Sequence, residues 1–353
     1  MRTSSCVKVG NVLIGGGADI SIQSMTNTKT YDIEATLAQI NELYEHGCDI
    51  VRMAVNDDAA AAAVGALVDK SPVPLVADIH FDYKLAIRSA EAGISKLRIN
   101  PGNIGGQDRV RVLADCAKAH RIPIRIGVNQ GSVQKDLLRK YGSATPDAMI
   151  ESALSHVKML EDCGFYDIVI SIKTADAMST VEVYEKLANA CSYPLHLGMT
   201  HTGLIEDARM KVAVGMGGLL MKGIGDTIRI SLVGNPVPEV DMAKELLKAT
   251  GHRKEGIELI ACPTCARTSL PVQDIATKVK QRTLHIKAPV KAAVMGCVVN
   301  GPGEAREADI GITGAPGGWV IFEGDEVKKV SDENALEIFI ASIERIAREK
   351  YGR

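Results

Sequence analysis

Short apolar runs rich in β-branched residues alternate with stretches rich in Ala, Leu and Glu over the first two-thirds of the chain. Short apolar runs bounded by turn residues are typical of buried strands, and apolar residues at helical spacing indicate helices between them. The pattern predicts eight strands: Ile20–Met25, Ile50–Val55, Leu75–His80, Lys96–Asn100, Ile122–Val128, Ile168–Lys173, Leu195–Thr200 and Thr227–Leu232.

Helical stretches follow most of these strands. One covers Asp32–Gly47 and ends at a glycine, and another covers Lys84–Gly93. Eight strand–helix units over about 250 residues are the expected size of a (β/α)8 barrel, and the alternating order requires a parallel sheet. A longer connection, from Gly131 to about Pro146, follows the fifth strand, and we expect it to cover the barrel mouth.

The pattern changes near Gly251, where the residues from His252 to Gly256 form a predicted linker. A smaller α/β unit follows and ends in an amphipathic helix at about Glu333–Lys350. The predicted fold class is therefore α/β, with an N-terminal TIM (β/α)8 barrel over residues 1–250 and a smaller C-terminal α/β domain over residues 251–353.

Composition narrows the function classes. A net charge of −2 and 4% aromatic residues argue against nucleic acid or an anionic membrane surface as the partner. The chain has no apolar run of the roughly 18–20 residues that a membrane span needs, and its start lacks the apolar core of a secretory signal. Eight cysteines are too few for a disulfide scaffold, so we expect a reducing, cytoplasmic compartment.

Three cysteines near the C-terminus have the spacing of metal ligands. Cys262 and Cys265 form a Cys-x-x-Cys pair, and Cys297 follows after 31 residues. Three thiolates are one ligand short of the usual four, and Glu304, just after a Gly-Pro-Gly turn, is the candidate weak oxygen ligand. The spacing favours an iron–sulfur cluster and leaves zinc, with His285 as its fourth ligand, as the alternative.

Polar residues gather at the predicted carboxyl ends of the barrel strands, where barrel enzymes carry their chemistry. Several are cations, and guanidinium and ammonium groups on one concave face suit phosphate oxygens. The alternative is that each arginine pairs with a carboxylate on a neighbouring strand. The set comprises Arg52, Asp78, His80, Arg98, Asn100, Arg125, Asn129, Ser171, Lys173, Thr200, His201, Arg229 and Ser231.

Asp78 and His80 lie two residues apart on one predicted strand and therefore share a face. They are candidates for proton transfer or for binding substrate hydroxyls, and the alternative is a structural pair within the barrel. His196 is predicted to be a histidine of the barrel core. The five cysteines without ligand spacing are predicted to be small buried hydrophobes: Cys6, Cys48, Cys116, Cys163 and Cys191.

Seven motifs in this order resemble bacterial 4-hydroxy-3-methylbut-2-en-1-yl diphosphate synthases of the methylerythritol phosphate route to isoprenoids. They extend over nearly the whole chain: QSMTNT from Gln23, VADIHFD from Val76, LRINPGNIG from Leu97, PIRIGVN from Pro123, GIGDTIRIS from Gly223, ACPTC from Ala261 and GCVVNGPGE from Gly296.

The resemblance implies a barrel followed by a small domain, with a 4Fe–4S cluster held by Cys262, Cys265, Cys297 and Glu304. It implies reductive ring opening and dehydration of 2-C-methyl-D-erythritol 2,4-cyclodiphosphate to (E)-4-hydroxy-3-methylbut-2-en-1-yl diphosphate. The two electrons come from flavodoxin or ferredoxin. Family members are homodimers in which the cluster domain of one chain closes over the barrel of the other.

The resemblance also distributes roles among the polar residues. Arg52, Arg98, Arg125, Lys173 and Ser231 would hold the diphosphate, while Asn100, Asn129, Asp78 and His80 would line the same mouth. We add Ser171 to the substrate-binding candidates. The candidate catalytic residues are Asp78, His80, His201 and Glu304.

One position departs from the family pattern. Where that pattern has Thr-Glu-x-Gly, this chain has Thr200-His201-Thr202-Gly203, so an imidazole replaces a carboxylate. The exchange puts an essential acid–base role of this position in doubt or shifts its pH dependence. Two other functions remain as alternatives: a zinc-stabilised barrel that binds phosphosugars without redox chemistry, and a barrel lyase or isomerase whose metal domain only mediates assembly.

Overall fold

The computed structural model describes residues 2–297, 303, 305–315 and 318–352. The chain divides into two compact units, Met1–His252 and Arg253–Arg353, and each has its own apolar core. Among the described residues, no helix is both long and apolar enough to span a membrane.

The first unit opens with a hairpin that the pattern did not predict. Strand β1 (Val7–Val9) pairs antiparallel with β2 (Val12–Ile14). Val9 and Ile14 are buried against Ile50 and Val76, which lie at or near the amino ends of two barrel strands. The hairpin therefore closes the amino end of the barrel. Strands of three residues are too short to produce a recognisable alternation of apolar and polar positions.

Each predicted barrel strand has its counterpart in the structure. The strands are β3 (Ser21–Met25), β4 (Ile50–Ala54), β5 (Leu75–Asp78), β6 (Lys96–Ile99), β7 (Ile124–Asn129), β8 (Ile168–Lys173), β9 (His196–Leu197) and β10 (Thr227–Ile228).

These strands form one parallel sheet in the order β8-β7-β6-β5-β4-β3-β10-β9. A parallel bridge between Ile170 and Leu195 joins the two ends of that order, so the sheet closes on itself. The (β/α)8 fold predicted from the alternating pattern is confirmed. Strands β9 and β10 are much shorter than predicted, because the chain stops pairing early and continues as the loops of the barrel mouth.

Helices on the outside connect the strands. Aspartates begin several of them: the Asp57 carboxylate accepts from the amide of Ala60 at 2.8 Å, and that of Asp176 from Ser179 at 2.8 Å. The helices are α1 (Ile33–Glu45), α2 (Asp58–Lys70), α3 (Tyr83–Glu91), α4 (Pro101–Ile104), α5 (Gln107–His120), α6 (Lys135–Tyr141), α7 (Pro146–Glu161), α8 (Ala177–Ala190), α9 (Ile205–Val212), α10 (Gly218–Met221) and α11 (Val237–Ala249), with a 3-10 turn at Gln130–Ser132 and a π-helical turn at Ala213–Gly217.

The second unit is a mixed sheet covered by two helices among the described residues. Neighbouring strands β11, β12 and β13 are parallel, while β14 and β15 continue the sheet antiparallel. Val294, Phe339 and Ile343 are buried in its core. The elements are β11 (Glu258–Ala261), α12 (Val272–Arg282), β12 (Lys291–Met295), β13 (Ile310–Ala315), β14 (Gly318–Glu323), β15 (Glu326–Val330) and α13 (Ala335–Tyr351).

Candidate active site

The barrel carries the predicted polar residues on its strands and in the loops that follow them; most lie in the carboxyl half of a strand, but Arg125 is the second residue of β7. Arg52, Asp78, Arg98 and Arg125 lie on neighbouring strands β4 to β7 and are all buried. Further residues lie on β7, on β8 and in the loops after β5, β6, β9 and β10: Asn129, Ser171, Lys173, His80, Asn100, His201 and Ser231.

Asp78 is the centre of a buried charge network. Its Oδ1 accepts a hydrogen bond from Nη1 of Arg98 at 3.0 Å. Its Oδ2 lies 3.7 Å from Nε of Arg52 and 3.7 Å from Nε2 of His80, which is half exposed. Burial alone would raise the pKa of the Asp78 carboxyl, but Arg52, His80 and Arg98 outweigh burial and hold that pKa well below its usual range. Asp78 is therefore ionised at every physiological pH.

Glu239 forms a second buried network, which was not predicted from the sequence. This carboxylate, in the first turn of α11, accepts from Nε of Arg229 at 3.2 Å and from the hydroxyl of Ser24 at 2.9 Å. It also accepts from the backbone amide of Leu232 at 3.0 Å. A glutamate in the first turn of a helix is usually solvent-exposed, so nothing in the pattern distinguished this one.

Other cations have no carboxylate partner among the described residues. Nη1 of Arg125 donates to Oε1 of Gln23 at 3.3 Å, while its Nε has no partner there. Nζ of Lys173 donates to the hydroxyl of Ser231 at 3.3 Å. Lys96 is fully buried, and its Nζ likewise has no partner in the described part of the chain.

The pKa values of these groups reflect this crowding. Burial lowers the pKa of the Lys173 ammonium well below its usual value, and Arg229, Arg52 and Arg125 lower it further. Burial also lowers the pKa of Arg52 to about 9, with Asp78 opposing this effect and Arg229 and Arg98 adding to it.

Basic side chains outnumber carboxylates among the described residues inside the barrel. Asp78 and Glu239 are the carboxylates that attract these cations most strongly. The alternative that each arginine pairs with a carboxylate on another element therefore holds for Arg52, Arg98 and Arg229. It does not hold for Arg125, and the buried lysines have no such partner among the described residues. The excess charge suits a ligand with several negative charges. The basic side chains are Arg52, Lys96, Arg98, Arg125, Lys173 and Arg229.

Two glycines make room for two of these cations. A β-carbon at Gly127 would lie 2.6 Å from Nε of Arg98, and one at Gly198 would lie 3.1 Å from Cε of Lys173. Side chains at these positions would push the cations away, so glycine at the neighbouring strand positions fixes where they lie.

His201 is exposed and has a left-handed backbone, with φ of 55°. Its loop is held on both sides: the amide of Thr200 donates to the carbonyl of Thr174 at 3.0 Å, and the hydroxyl of Thr202 donates to the carbonyl of Ser231. A non-glycine residue in this conformation is uncommon, and such residues cluster at functional sites. The hydrogen bond from Thr202 to Ser231 therefore holds the His201 loop, which follows β9, beside the loop that follows β10.

The remaining predicted residues differ in their accessibility. Asn100 is buried, and its Oδ1 accepts from the amide of Gly102 at 3.1 Å. Asn129 forms a capping box with Ser132 at the start of the following turn. Ser171 is buried inside the barrel, where it interacts with the hydroxyl of Tyr184. His196 is fully buried in the barrel, as predicted.

The three metal-ligand candidates with described positions lie at one edge of the C-terminal sheet. Cys262 directly follows β11 and Cys297 lies just beyond β12, and these strands are parallel neighbours. The amide of Cys262 donates to the carbonyl of Val294 at 2.9 Å. The carboxyl ends of parallel neighbouring strands meet at one edge of a sheet, so these cysteines lie on adjacent loops. We call Cys262, Cys265 and Cys297 the cysteine edge.

A hydrogen-bonded turn ties Cys265 to the Cys297 loop. The hydroxyl of Thr268 accepts from the amide of Cys265 at 2.9 Å, and the amide of Ser269 donates to the carbonyl of Gly296 at 2.8 Å. A β-carbon at Gly296 would lie 3.0 Å from Oγ1 of Thr268, and one at Gly314 would lie 2.3 Å from Oγ of Ser269. The absence of side chains at Gly296 and Gly314 therefore lets Thr268 and Ser269 pack closely against the ends of β12 and β13.

The donor set at this edge fits a soft metal centre. Three thiols on adjacent loops are the ligands that iron–sulfur clusters and zinc prefer. Among the described residues, no three His, Cys, Asp or Glu side chains are yet close enough to hold one metal ion. Glu304, the fourth predicted ligand, lies outside the described residues.

His285 does not belong to the cysteine edge. It lies in the segment that leads into the amino end of β12, whereas the cysteines follow the carboxyl ends of the strands. Its Nε2 is 3.7 Å from Oε1 of Glu344 on α13. A strand of about five residues spans roughly 17 Å, which is too far for a shared metal. The zinc site with His285 as the fourth ligand is therefore wrong.

The prediction for the five other cysteines is only partly confirmed. Cys48 is buried, and burial raises the pKa of its thiol to about 12. Cys6 is exposed, so its prediction as a buried hydrophobe is wrong; it lies in the N-terminal segment just before β1, outside the barrel core. Three are partly buried: Cys116, Cys163 and Cys191.

Family models match both units of the chain. The GcpE TIM-barrel domain matches residues 4–244, and the GcpE protein C-terminal domain matches residues 258–345.

Curated relatives match over almost their whole length. A protein of Caldanaerobacter subterraneus subsp. tengcongensis is 52% identical, covering 98% of this chain and 97% of the relative. One of Clostridium perfringens is 54% identical, covering 96% and 98%, and one of Bacillus subtilis is 51% identical, covering 98% and 92%. Each is named 4-hydroxy-3-methylbut-2-en-1-yl diphosphate synthase (flavodoxin).

Solved structures resemble the chain in fold only. A type I 3-dehydroquinate dehydratase of Clostridium difficile matches with a TM-score of 0.51 at 10% identity, covering 71% of this chain and 100% of that structure. The Yersinia pestis dihydropteroate synthase matches with a TM-score of 0.50 at 15% identity, covering 72% and 100%.

Proposed function

This chain belongs to the GcpE family of 4-hydroxy-3-methylbut-2-en-1-yl diphosphate synthases, and we propose how its two units divide the reaction of that family between them. The barrel mouth binds 2-C-methyl-D-erythritol 2,4-cyclodiphosphate, and the cysteine edge holds the redox centre. The family, the fold and the oxidoreductase class inferred from the seven motifs are confirmed. The non-redox binding barrel and the lyase or isomerase are therefore set aside.

The observation that carries the proposal is the excess of buried basic side chains over carboxylates in the barrel. Arg125 and Lys173 lack carboxylate partners among the described residues, and burial together with neighbouring cations opposes their charged forms. A cyclic diphosphate brings two phosphate groups and removes this penalty for both residues at once. We assign diphosphate binding to Arg52, Arg98, Arg125, Lys173 and Ser231, with Arg229 added from its position beside Glu239.

The neutral polar residues bind the carbon skeleton in this proposal. Asn100 uses its Oδ1 for its own loop, which leaves the amide NH₂ for a substrate hydroxyl or phosphate oxygen. Asn129 lines the adjacent loop. Ser171 is buried, so we assign it to the packing beneath the mouth and propose no contact with substrate.

We propose that Cys262, Cys265, Cys297 and Glu304 hold a 4Fe–4S cluster. Such a cluster, when bound, supplies two electrons one at a time. Glu304 would be the weakest of the four ligands, because a carboxylate oxygen is a poor match to a site dominated by thiolates. Thr268 and Ser269 keep the thiols of Cys265 and Cys297 on adjacent loops through the hydrogen bonds of their turn.

The residues of the mouth handle charge and protons. Ring opening frees a phosphate oxygen at carbon 2, and the arginines with Lys173 stabilise the charge that develops there. The hydroxyl on carbon 3 then leaves as water and needs a proton. Asp78 cannot supply it, because it stays ionised between Arg52 and Arg98. We propose His80 or His201 as the donor, since both are exposed at the mouth, and assign Asp78 to holding the arginines.

We propose flavodoxin as the electron donor, since the relatives carry it in their names, and a homodimer in which the C-terminal unit of one chain closes over the barrel of the other. The reducing cytoplasm remains the proposed compartment, because a cluster with an exchangeable ligand is open to oxidants.

The test is an anaerobic purification with iron and sulfide analysis, followed by turnover of the cyclodiphosphate with reduced flavodoxin. We expect about four iron and four sulfide per chain and a broad absorption at about 400 nm that bleaches on reduction. We also expect the allylic diphosphate product. One zinc per chain and a colourless protein that leaves the cyclodiphosphate intact would overturn the proposal.

Mixing two inactive variants tests the dimer. Arg98→Ala disables the barrel of one chain, and Cys297→Ser disables the cysteine edge of the other. If each active site combines two chains, co-expressed variants recover about a quarter of wild-type activity, because half of the dimers are mixed and each of these has one intact site. No recovery in isolated mixed dimers would place both halves of the site in one chain.

A further inference from the structure

His156, on α7, is a buried histidine that the proposed reaction does not use. Its side chain is 1% exposed, and it lies behind the two loops that follow β6 and β7. Asn100 and Asn129 begin those loops. Its position, rather than any sequence motif, connects it to the substrate site.

One side of His156 contacts the loop after β7. Nε2 of His156 lies 3.0 Å from Nε2 of Gln134, the residue that begins α6. The same amide group lies 3.2 Å from the hydroxyl of Ser155, and that hydroxyl donates to the carbonyl of Ser152 at 2.8 Å. The Gln134 amide therefore donates one hydrogen to Ser155 and the other to His156. This makes Nε2 of His156 an acceptor and puts the ring proton on Nδ1.

The same ring nitrogen packs against the loop after β6. A β-carbon at Gly102 would lie 2.8 Å from Nε2 of His156 and 3.4 Å from Oδ1 of Asn100. The amide of Gly102 donates to that Oδ1 at 3.1 Å. Nε2 of His156 and Oδ1 of Asn100 thus both lie near the space that a side chain at Gly102 would fill. The ring therefore packs on the residue whose amide holds Oδ1 of Asn100.

We propose that His156 is a positioning residue for substrate binding: it joins the β6 and β7 loops and so fixes the direction of the Asn100 amide. The proposal rests on the proposed function in one respect, namely that Asn100 contacts the cyclodiphosphate. Nothing about His156 requires it to touch the substrate.

Burial supports a neutral imidazole in this role, since it lowers the pKa of His156 to about 4. A protonated ring would present an N–H to the Gln134 amide hydrogens and break the contact. Burial is the sole cause of this shift, and the polar partner of the ring is the neutral amide of Gln134. The positioning therefore persists throughout the neutral pH range.

The test compares three replacements. His156→Leu keeps the volume but has no acceptor, whereas His156→Gln places an oxygen near the position of Nε2. We expect Leu to raise KM for the cyclodiphosphate about tenfold, with kcat changed by less than about twofold, and Gln to recover most of this loss. His120→Leu, on an exposed histidine at the end of α5, is the control and should leave KM unchanged.

A double-mutant cycle separates positioning from general destabilisation. In an Asn100→Ala background, His156→Leu should raise KM no further, because the group it positions is already gone. An equal increase in both backgrounds would overturn the proposal, as would an unchanged KM in the single variant. If His156→Leu prevents folding, His156→Gln is compared with His156→Asn. The asparagine oxygen reaches only the position of Nδ1, so His156→Asn should raise KM and His156→Gln should not.

Binding of inorganic pyrophosphate, measured by calorimetry, keeps the two proposals distinguishable. If the wild type binds pyrophosphate but does not turn over the cyclodiphosphate, the proposed function fails while His156 is still tested by its effect on that binding. If the wild type turns over and His156→Leu changes neither KM nor pyrophosphate affinity, the positioning role alone fails.

Discussion

The barrel mouth and the cysteine edge obey the same topological rule but are built in different ways. Both lie at the carboxyl ends of parallel strands. In the mouth, side chains hold one another, as when Asp78 engages Arg98 and Arg52. At the edge, hydrogen bonds of the turn hold the chain, and Cys265 itself is exposed.

The difference indicates how each site reaches its working geometry. The mouth has its basic side chains in place before any ligand arrives, although burial opposes their charged forms, so an anionic ligand would offset this cost. The edge places three thiols on adjacent loops and leaves the final approach of the sulfurs to the metal. One site is preorganised for an anion, and the other is completed by a cation.

Cys297→Ser should give the largest effect, because it removes a ligand from a site that only the metal completes. We expect loss of the cluster and of turnover together, measured as iron and sulfide per chain and as product formed. Cys116→Ser, on a barrel helix, is the matched control and should keep both. A Cys297→Ser protein with full iron content and activity would show that the edge does not bind the cluster as assigned.

Asp78→Asn should destabilise the protein by about 3–5 kcal/mol in the free energy of unfolding, because two buried arginines lose their charged partner. Inorganic pyrophosphate should recover part of the loss in thermal melts, as its charge substitutes for the carboxylate. Glu151→Gln breaks an exposed ion pair with Lys140 and should have a much smaller effect. Equal effects of the two substitutions would contradict a preorganised mouth.

Lys173 should make substrate affinity depend on pH. Its pKa is depressed in the free protein, and a bound diphosphate should raise it. Between these two values, binding takes up a proton, so KM rises with pH by up to about tenfold per pH unit. Below the free-state pKa the dependence disappears. Lys173→Met should bind substrate more weakly at low pH and should lose the increase of KM with pH. If KM still rises with pH in this variant, the pH dependence belongs to another group.

Gly314→Ala should have the smallest of these effects, and it tests the edge rather than the mouth. The new methyl group would displace the Ser269 hydroxyl and loosen the turn on which Cys265 depends. We expect faster loss of iron to a chelator, with the cluster still assembling at first. Gly218→Ala, where a β-carbon meets no atom within 4 Å, is the matched control. Identical rates of iron loss would mean that the turn does not support the site.

Periodicity predicted the barrel because each strand is a short, continuous apolar run, and parallel strands are buried on both faces. It placed the starts of β9 and β10 almost correctly but not their ends, since Met199 and Ile230 remain apolar and buried after the pairing stops. The hairpin of β1 and β2 was missed because two strands of three residues carry no period.

The candidate site was predictable where residue type and strand position suffice, as for the arginines and Lys173. Glu239 and His156 could not be found this way. Both lie on helices, and their roles depend on which strand or loop the helix packs against. His285, the one ligand that was predicted wrongly, is a suitable zinc ligand but precedes β12, whereas the cysteines follow the carboxyl ends of β11 and β12. This difference is visible only once the order of strands and helices is known.

The N-terminal segment has a consequence for the order of folding. The hydroxyl of Ser4 donates to Oδ1 of Asp226 at 2.5 Å, and Nη2 of Arg2 donates to the carbonyl of Cys191 at 2.7 Å. Residues at the start of the barrel unit therefore bind partners that are synthesised near its end. At about 5–20 residues per second, they wait on the order of tens of seconds. The nascent barrel should remain an open, protease-sensitive sheet until the strand after Asp226 has emerged, and then close in one step.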